Sequence, residues 1–363
     1  MMVSFLDFIW IAVNSKNAEN IKKLLLSKGL FLPQIKVQRR NDYILFPAKR
    51  DVLKIKSEFV QYNAQFIEPR PEEVFVTKER PTSLKELLKN KLPKHLHEYI
   101  PSSYDIVGDI AIIELPESLV DYAPIIGNAI LTLHKNVKSV FLKAGPVTGN
   151  VRIRPLKHIA GQNRTVTVHR ENGCIYELDI SKVYFSPRLS TEHKRVAEQV
   201  QDGEIVIDMF AGIGPFAILI ARLKRATVYA IDVNPNAIFY LQRNITRNKL
   251  KGKVIPIIGD SREVITKQLS NVADRVIMNL PGESISFLDA AIKALRSSKG
   301  IIHIYLFESE PDPVHTAFQK IKEIILSKAI KIQNIHVSLL YGRKIKEVAP
   351  RRWYVVLDLA FSS

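Results

Sequence analysis

From about residue 190 to the end, short apolar runs alternate with longer stretches whose apolar positions recur every three to four residues. Runs of the first kind read as buried strands, and stretches of the second kind as amphipathic helices. The order is strand "EIVIDMF", helix "PFAILIARLK", strand "TVYAIDV", helix "NAIFYLQRNITRNKL", strand "VIPIIGD" and helix "REVITKQL". It continues with strand "DRVIMNL", helix "SISFLDAAIKALRS", strand "IIHIYLF" and helix "VHTAFQKIKEIILSK". Such alternation predicts an α/β fold built on a doubly wound parallel sheet. The last two strands, "QNIHVSLLYG" and "WYVVLDLAF", have no helix between them, so they are expected to pair antiparallel at one edge.

The pattern before residue 190 is different. Residues 1–67 read as a small α+β unit: a strand from Phe8 to Val13, a helix from Asn17 to Lys28 with Ser15 as its cap, and two strands flanking Asn41-Asp42. The opening "MMVSFLDFIWIAV" reads as a first core strand, since no positive segment precedes it and Asp7 interrupts it. After a linker at "EPRPEE", residues 74–180 form a mixed α/β middle domain. Its parts are a basic helix "SLKELLKNKL", the run "SYDIVGDIAIIELP", an apolar helix near 120–134 and a strand "SVFLKAG". The hairpin "TVTVHRENGCIYELDI" closes it, turning at Asn172-Gly173 because both central residues of that turn need positive φ. Residues 181–363 are left for the doubly wound domain.

Composition adds one strong constraint. Of 363 residues, 53 are Lys or Arg and 36 are Asp or Glu, leaving a formal charge of +17, so the first partner to consider is a polyanion. Lys36, Arg39, Arg40, Lys49 and Arg50 cluster in the first domain. No apolar run reaches the ~18 residues a membrane span needs. Cys174 is the only cysteine, which excludes an intrachain disulfide and a cysteine-rich zinc site and suits a reducing cytosol.

The chemistry-bearing positions fall at strand ends. In "DMFAGIGPF", Asp208 to Phe216, Gly212 and Gly214 form a turn between the first strand and first helix of the sheet, where doubly wound folds bind ligands. Asp232 follows at the end of the second strand, placed to hold ribose hydroxyls, and Asp260 in "GDSRE" follows the third. A third glycine of the dinucleotide fingerprint is missing, Pro215 and Phe216 following Gly214, and the pattern D-x-F-x-G-x-G that begins at Asp208 resembles the methionine-binding loop of the methyltransferases, so S-adenosylmethionine is favoured over NAD. Asn279-Leu280-Pro281 ends the fourth strand, in the position from which such folds address an acceptor base. Glu192 falls in the first turn of a helix capped by Ser190 or Thr191, where by spacing alone it complements the helix dipole.

The motifs "SYDIVGDIAIIELP", "GNVRIRP", "VYFSPRLSTE", "DMFAGIGPF" and "NLP", in this order, resemble the archaeal and eukaryotic tRNA (guanine-N1)-methyltransferases that modify guanosine 37. The resemblance implies a class I (Rossmann-like) methyltransferase domain with S-adenosyl-L-methionine as cofactor and no metal. It implies a cofactor site at Asp208, Phe210, Gly212, Gly214, Pro215, Phe216, Asp232, Val233, Asp260, Ser261 and Asn279. Glu192 matches the family's general base, which takes the N1 proton. Arg152 or Arg154 matches the cation that stabilises O6, Asn279 and Pro281 the residues holding the guanine edge, and Tyr184 and Arg188 contacts to the flipped nucleotide. The partner implied is tRNA, docked at its outer corner by the first domain and at its anticodon stem-loop by the other two, by a cytoplasmic monomer. Alternatives are a wyosine-pathway modification, either methylation of a tricyclic base or aminocarboxypropyl transfer, and a non-enzymatic RNA-binding protein.

Overall fold

A computed structural model describes residues 8–70, 83–145, 154–327 and 336–362. The chain divides into two compact units, Met1–Thr82 and Ser83–Ser363.

The first unit is a four-stranded sheet with, among the described residues, one α-helix and a longer 3-10 stretch, Arg50–Tyr62. Strand β1 (Phe8–Asn14) is central; helix α1 (Ala18–Ser27), then β2 (Gln38–Arg40), β3 (Tyr43–Lys49) and β4 (Gln65–Ile67) follow, in sheet order β2-β3-β1-β4. β1 is buried on both faces, which explains its unbroken apolar run. Asn41 takes φ +53 in the β2–β3 turn, as its residue type allows. The chain enters α1 through a 3-10 turn capped by Asn14, whose side chain accepts from the Lys16 amide, so Asn14 takes the role expected of Ser15.

The second unit begins with a short helix α2 (Leu84–Leu88), capped by Ser83, whose hydroxyl accepts from the Glu86 amide. A four-stranded sheet follows: β5 (Asp105–Val107), β6 (Ile110–Ile113), helix α3 (Ala123–Leu133), β7 (Ser139–Lys143) and β8 (Leu156–Gly161), with β6 and β7 parallel across the α3 crossover. The hairpin β9 (Val166–Glu171) and β10 (Cys174–Asp179) turns at Asn172 (φ +48) and Gly173 (φ +77). It leans on the doubly wound part: Asn244 receives the Glu177 amide at 2.7 Å, and Tyr176 donates to the Pro215 carbonyl at 3.2 Å. The apolar face of β10 needs a partner, and it finds one in the helices of that part.

The remaining elements are α4 (Ser190–Gln199), β11 (Ile205–Asp208), α5 (Pro215–Leu223), β12 (Thr227–Asp232), α6 (Pro235–Arg247), β13 (Lys253–Ile258), α7 (Ser261–Gln268), β14 (Arg275–Met278), α8 (Leu288–Ala294), β15 (Gly300–Ser309), α9 (Pro313–Ser327), β16 (His336–Ala349) and β17 (Arg352–Ser362). The seven strands lie in the order β13-β12-β11-β14-β15-β17-β16. The five from β11 to β15 are parallel, and β17 inserts antiparallel between β15 and β16. This is the expected class I methyltransferase architecture. No helix of the described residues is long and apolar enough to cross a membrane.

Helix α4 departs from expectation at its start. A 3-10 turn, Pro187–Leu189, runs straight into it, leaving apolar Leu189 at the cap position with no side-chain bond. The Ser190 hydroxyl instead receives the Asn172 carboxamide at 3.1 Å, so neither Ser190 nor Thr191 caps the helix. The face of α4 carrying Glu192, Arg195 and Gln199 meets the sheet, where β15 and β17 offer His303, Tyr305 and Asp358. A buried polar network results, and every charge in it has a partner.

Candidate active site

The carboxyl ends of β11, β12, β13 and β14 open onto one cleft of about 500 Å³. Its lining includes Phe210, Gly212, Asp232, Val233, Asp260, Ser261, Asn279 and Pro281 from the expected set, together with Tyr184 and Arg154. Gly214, Pro215, Phe216, Asp208, Arg188 and Glu192 are not in that lining.

The glycine turn is held by carboxylates. Asp232 receives the Gly212 amide at 2.7 Å through one oxygen and the Asn234 amide at 2.8 Å through the other, tying the end of β12 to the turn after β11. Burial raises its pKa above the usual carboxylate range, while those two amides oppose the rise. Asp208 lies deeper, fully buried, with the Phe210 amide on one oxygen at 3.4 Å and no hydrogen bond on the other. Burial pushes its carboxyl up to about 7, with Asp232 adding to the rise and the Phe210 amide opposing it. Gly214 (φ +92) faces away from the cleft: a Cβ there would sit 2.4 Å from Leu241 Cδ1. Pro215 opens α5 and Phe216 packs edge-on against His193, so these three shape the turn from behind.

Asp260 caps α7 by accepting from the Arg262 amide at 2.8 Å, and the Arg262 guanidinium holds its carboxyl below the usual range. That guanidinium lies over the Phe287 ring, 4.4 Å from its centroid, and Phe287 meets Phe210 edge-on at 4.9 Å. Next to this wall the Ser261 hydroxyl is buried without a hydrogen bond. An unpaired buried hydroxyl, flat apolar rings and two carboxylates fit a nucleoside with a polar tail.

The opposite half of the cleft is built around Asn279. Its carboxamide oxygen accepts from the Tyr354 hydroxyl, and Pro281, Phe307 and Lys346 lie near it in the lining. Burial lowers the Lys346 ammonium's affinity for its proton, and Arg188 adds to that. Arg154 and Tyr184 lie between this cleft and a second one of about 390 Å³, which Arg188 also lines. In the second cleft Arg154 donates to Glu114 at 3.4 Å and Arg188 to Asp105. Arg152 lies outside the described residues.

Glu192 is 1% exposed. One carboxylate oxygen receives Arg195 Nε at 2.9 Å and the Tyr305 hydroxyl at 3.3 Å. The other has no hydrogen bond; its nearest cation is Arg343, at 3.6 Å.

Three family models match this chain in succession. They are the tRNA methyltransferase 5 N-terminal domain over residues 11–56, the TYW2 N-terminal domain over 84–165 and the TRM5/TYW2 methyltransferase domain over 167–333. The tRNA (guanine(37)-N(1))-methyltransferase Trm5b of Pyrococcus abyssi is 41% identical over 352 residues, which are 97% of this chain and 98% of that protein. The chain belongs to the TRM5/TYW2 methyltransferase family. Within that family, the crystal structure of the Pyrococcus abyssi Trm5b superposes with a TM-score of 0.74 at 39% identity, covering 98% of this chain and all of that one. A relative solved as a complex of aTrm5 and tRNALeu gives 0.70 at 34%, covering 97% and 99%. Shorter TRM5/TYW2 relatives match less of the chain. The Methanocaldococcus jannaschii tRNA(Phe) (4-demethylwyosine(37)-C(7)) aminocarboxypropyltransferase is 35% identical over 71% of this chain and 97% of its own length. The structure of M. jannaschii TYW2 in complex with AdoMet gives a TM-score of 0.54 at 31% identity, covering 72% and 99%. The TRM5/TYW2 methyltransferase model starts at residue 167, so it takes in the hairpin that the sequence pattern assigned to the middle domain.

Sequence reasoning missed Arg262, Phe287, Phe307, Lys346 and Tyr354 in the lining. Arg262 was readable as a neighbour of Asp260. The other four lie in a 3-10 turn, Ser284–Phe287, or on strands β15, β16 and β17, whose side-chain direction depends on the sheet order, and no motif marks them.

Proposed function

We propose that this chain transfers a methyl group from S-adenosylmethionine to N1 of guanosine 37 of tRNA. The observation that carries the reading is that one cleft joins two halves. The glycine turn with Asp232, Ser261 and Asp260 is one, and Asn279 with Pro281 is the other. The end-to-end match to relatives named tRNA (guanine(37)-N(1))-methyltransferase supports this choice over the wyosine-pathway relatives, which match about 70% of the chain.

Asp208, Phe210, Gly212, Asp232, Val233, Asp260 and Ser261 would hold the cofactor, with Gly214, Pro215 and Phe216 keeping the turn in shape. S-adenosylmethionine supplies an electrophilic methyl group on a sulfonium. The chain's own residues then prepare the nucleophile. Guanine N1 carries a proton at neutral pH, so a base must remove it as the nitrogen lone pair attacks. Glu192 is that base, accepting the proton on the oxygen that lacks a hydrogen bond. Glu192 does not line the cleft, so the entering base or the start of α4 must close the remaining separation. As N1 loses its proton, negative charge grows on O6, and Arg152 or Arg154 stabilises it. Arg154 must then leave Glu114, and Arg188 and Tyr184 meet the flipped nucleotide at the mouth of the second cleft.

Position 37 is in a loop, where flipping breaks no base pair. The basic residues of the first unit and of residues 83–145 would neutralise tRNA phosphates, giving an affinity that falls with salt. Action as a cytoplasmic monomer completes the proposal, in keeping with the single, buried Cys174.

Mass spectrometry of nucleosides from tRNA transcripts treated with the protein and cofactor tests this reading. The expected product is 1-methylguanosine from a transcript with G at position 37 and none from its A37 counterpart. Equal methylation of both, or an aminocarboxypropyl adduct, overturns it.

A further inference from the structure

Two tyrosines connect the proposed base to the proposed guanine-holding residue. On one face of the β15–β17 pair the side chains succeed each other in register: His303 opposite Asp358, Tyr305 opposite Val356 and Phe307 opposite Tyr354, approaching the carboxyl end of β15. The Tyr305 and Tyr354 rings stack with centroids 5.7 Å apart and planes at 26°. Phe216 packs on the first, at 6.0 Å, and Phe307 on the second, at 5.6 Å. Both tyrosines are buried, at 0% and 3% exposure. Four rings packed this way leave neither phenol free to swing.

Phenylalanine would fill either place without a polar atom to desolvate, and a buried hydroxyl is retained only where it finds a partner. Each of these does. Tyr305 donates to the same oxygen of Glu192 that Arg195 holds, so the other oxygen is the one left without a hydrogen bond. Tyr354 donates to the carboxamide oxygen of Asn279. Burial, together with the Glu192 charge, keeps Tyr305 protonated and therefore a donor.

We propose that Tyr305 and Tyr354 form a strut of positioning residues: Tyr305 orients Glu192 so that its unpaired oxygen receives the N1 proton, Tyr354 fixes the Asn279 carboxamide, and their stacked rings hold the two groups at a set separation. The inference rests on the catalytic reading of Glu192 and Asn279 given above. Loss of either hydroxyl would slow methyl transfer more than it loosens the cofactor or the tRNA, since each hydroxyl donates to a side chain of the protein, Glu192 or Asn279.

The test compares the full-length Tyr305→Phe and Tyr354→Phe proteins with Glu192→Gln, Asn279→Ala and the double variants Tyr305→Phe/Glu192→Gln and Tyr354→Phe/Asn279→Ala. The readouts are single-turnover rate constants on a G37 transcript, the tRNA KM and the cofactor Kd from calorimetry. Each Phe variant is expected to slow transfer about tenfold or more, with KM and Kd within twofold of wild type. In the paired double variant the Phe change is expected to add less than twofold. Wild-type rates in both Phe variants, or losses that multiply fully in the doubles, overturn the strut while the slow Glu192→Gln and Asn279→Ala proteins leave the catalytic reading standing. Wild-type rates in those two single variants overturn the reading and the strut together.

Discussion

Arg195 Nε donates to Glu192 at 2.9 Å while the rest of the same guanidinium is bound to Asp358. The proposed base is thus the outer member of a chain of ion pairs, and its negative charge is compensated before any substrate arrives. Glu192→Gln keeps the volume and can still accept from Tyr305, so the fold should stand. A general base contributes roughly 100- to 10,000-fold. The expected outcome is a loss of that order in single-turnover methyl transfer, with cofactor affinity by calorimetry unchanged. Transfer at the wild-type rate would falsify the role.

Asp358 is the anchor of that chain. It takes the Arg195 guanidinium, Gln199 at 3.1 Å and His303 at 2.7 Å, and His303 in turn meets Arg275 at 2.8 Å. Burial pushes its carboxyl up, but His303 and Arg195 outweigh it and hold the group below the usual range. Asp358→Asn leaves the half-buried Arg195 and the buried Arg275 with one anion fewer, and breaking a buried pair from one side costs about 3 kcal/mol or more. Urea denaturation should show that loss, and methyl transfer should fall too because Arg195 no longer has a fixed seat. Stability within about 0.5 kcal/mol of wild type, the usual size of a surface effect, would mean the network is compensated elsewhere.

Asp208 makes stability depend on pH in the opposite sense from most carboxylates. Its carboxyl is pushed up to about 7 by burial, whereas an aspartate in an unfolded chain titrates near ~3.9. Over that window the folded state holds a proton that the unfolded chain has released. The contribution is therefore complete below about pH 4 and lost as pH rises through about 7. Asp208→Asn removes this dependence and can still accept from the Phe210 amide. The melting temperature of the variant should match wild type near pH 4, exceed it increasingly up to about pH 7 and keep a constant lead above. Parallel curves across that range would show that Asp208 is ionised in the folded protein.

The doubly wound sheet, the hairpin turn at Asn172 and the half of the cleft proposed to hold the cofactor were legible because each rests on local chemistry. Alternating strand and helix periods, a turn needing positive φ, and Gly212 followed by Asp232 all act over a few residues or one βαβ unit. The acceptor half was legible only in part. Asn279 and Pro281 stood out because a strand ends there, but Tyr354 and Lys346 come from strands β16 and β17, and they reach the cleft only because β17 inserts beside β15. Glu192, Arg195 and Gln199 recur at helical spacing, and a stripe of polar residues ordinarily marks a solvated face. Here it is the face buried against His303, Tyr305 and Asp358, and its meaning depends on partners more than a hundred residues away. The missing cap on α4 has the same origin, since the Ser190 hydroxyl is engaged by Asn172 of the hairpin.

The two glycines of the turn between β11 and α5 should respond differently to the same substitution. Gly212 has φ +54, and the nearest atom to an added Cβ is the Tyr184 carbonyl oxygen at 3.8 Å, so Gly212→Ala meets only the left-handed backbone penalty of ~1–2 kcal/mol. Gly214 has φ +92, and its added Cβ would lie 2.4 Å from Leu241 Cδ1 and 3.1 Å from Ile218 Cδ1, inside the packing of α5 against α6. Gly214→Ala therefore adds overpacking of typically ~1–3 kcal/mol to the same backbone penalty. Urea denaturation should rank Gly214→Ala as the less stable. Shortening Leu241 to Ala in that background should recover part of the overpacking term, whereas combined with Gly212→Ala the same truncation should only add its own cavity cost. Recovery in both backgrounds, or in neither, would show that contact with Leu241 is not what requires a glycine at 214.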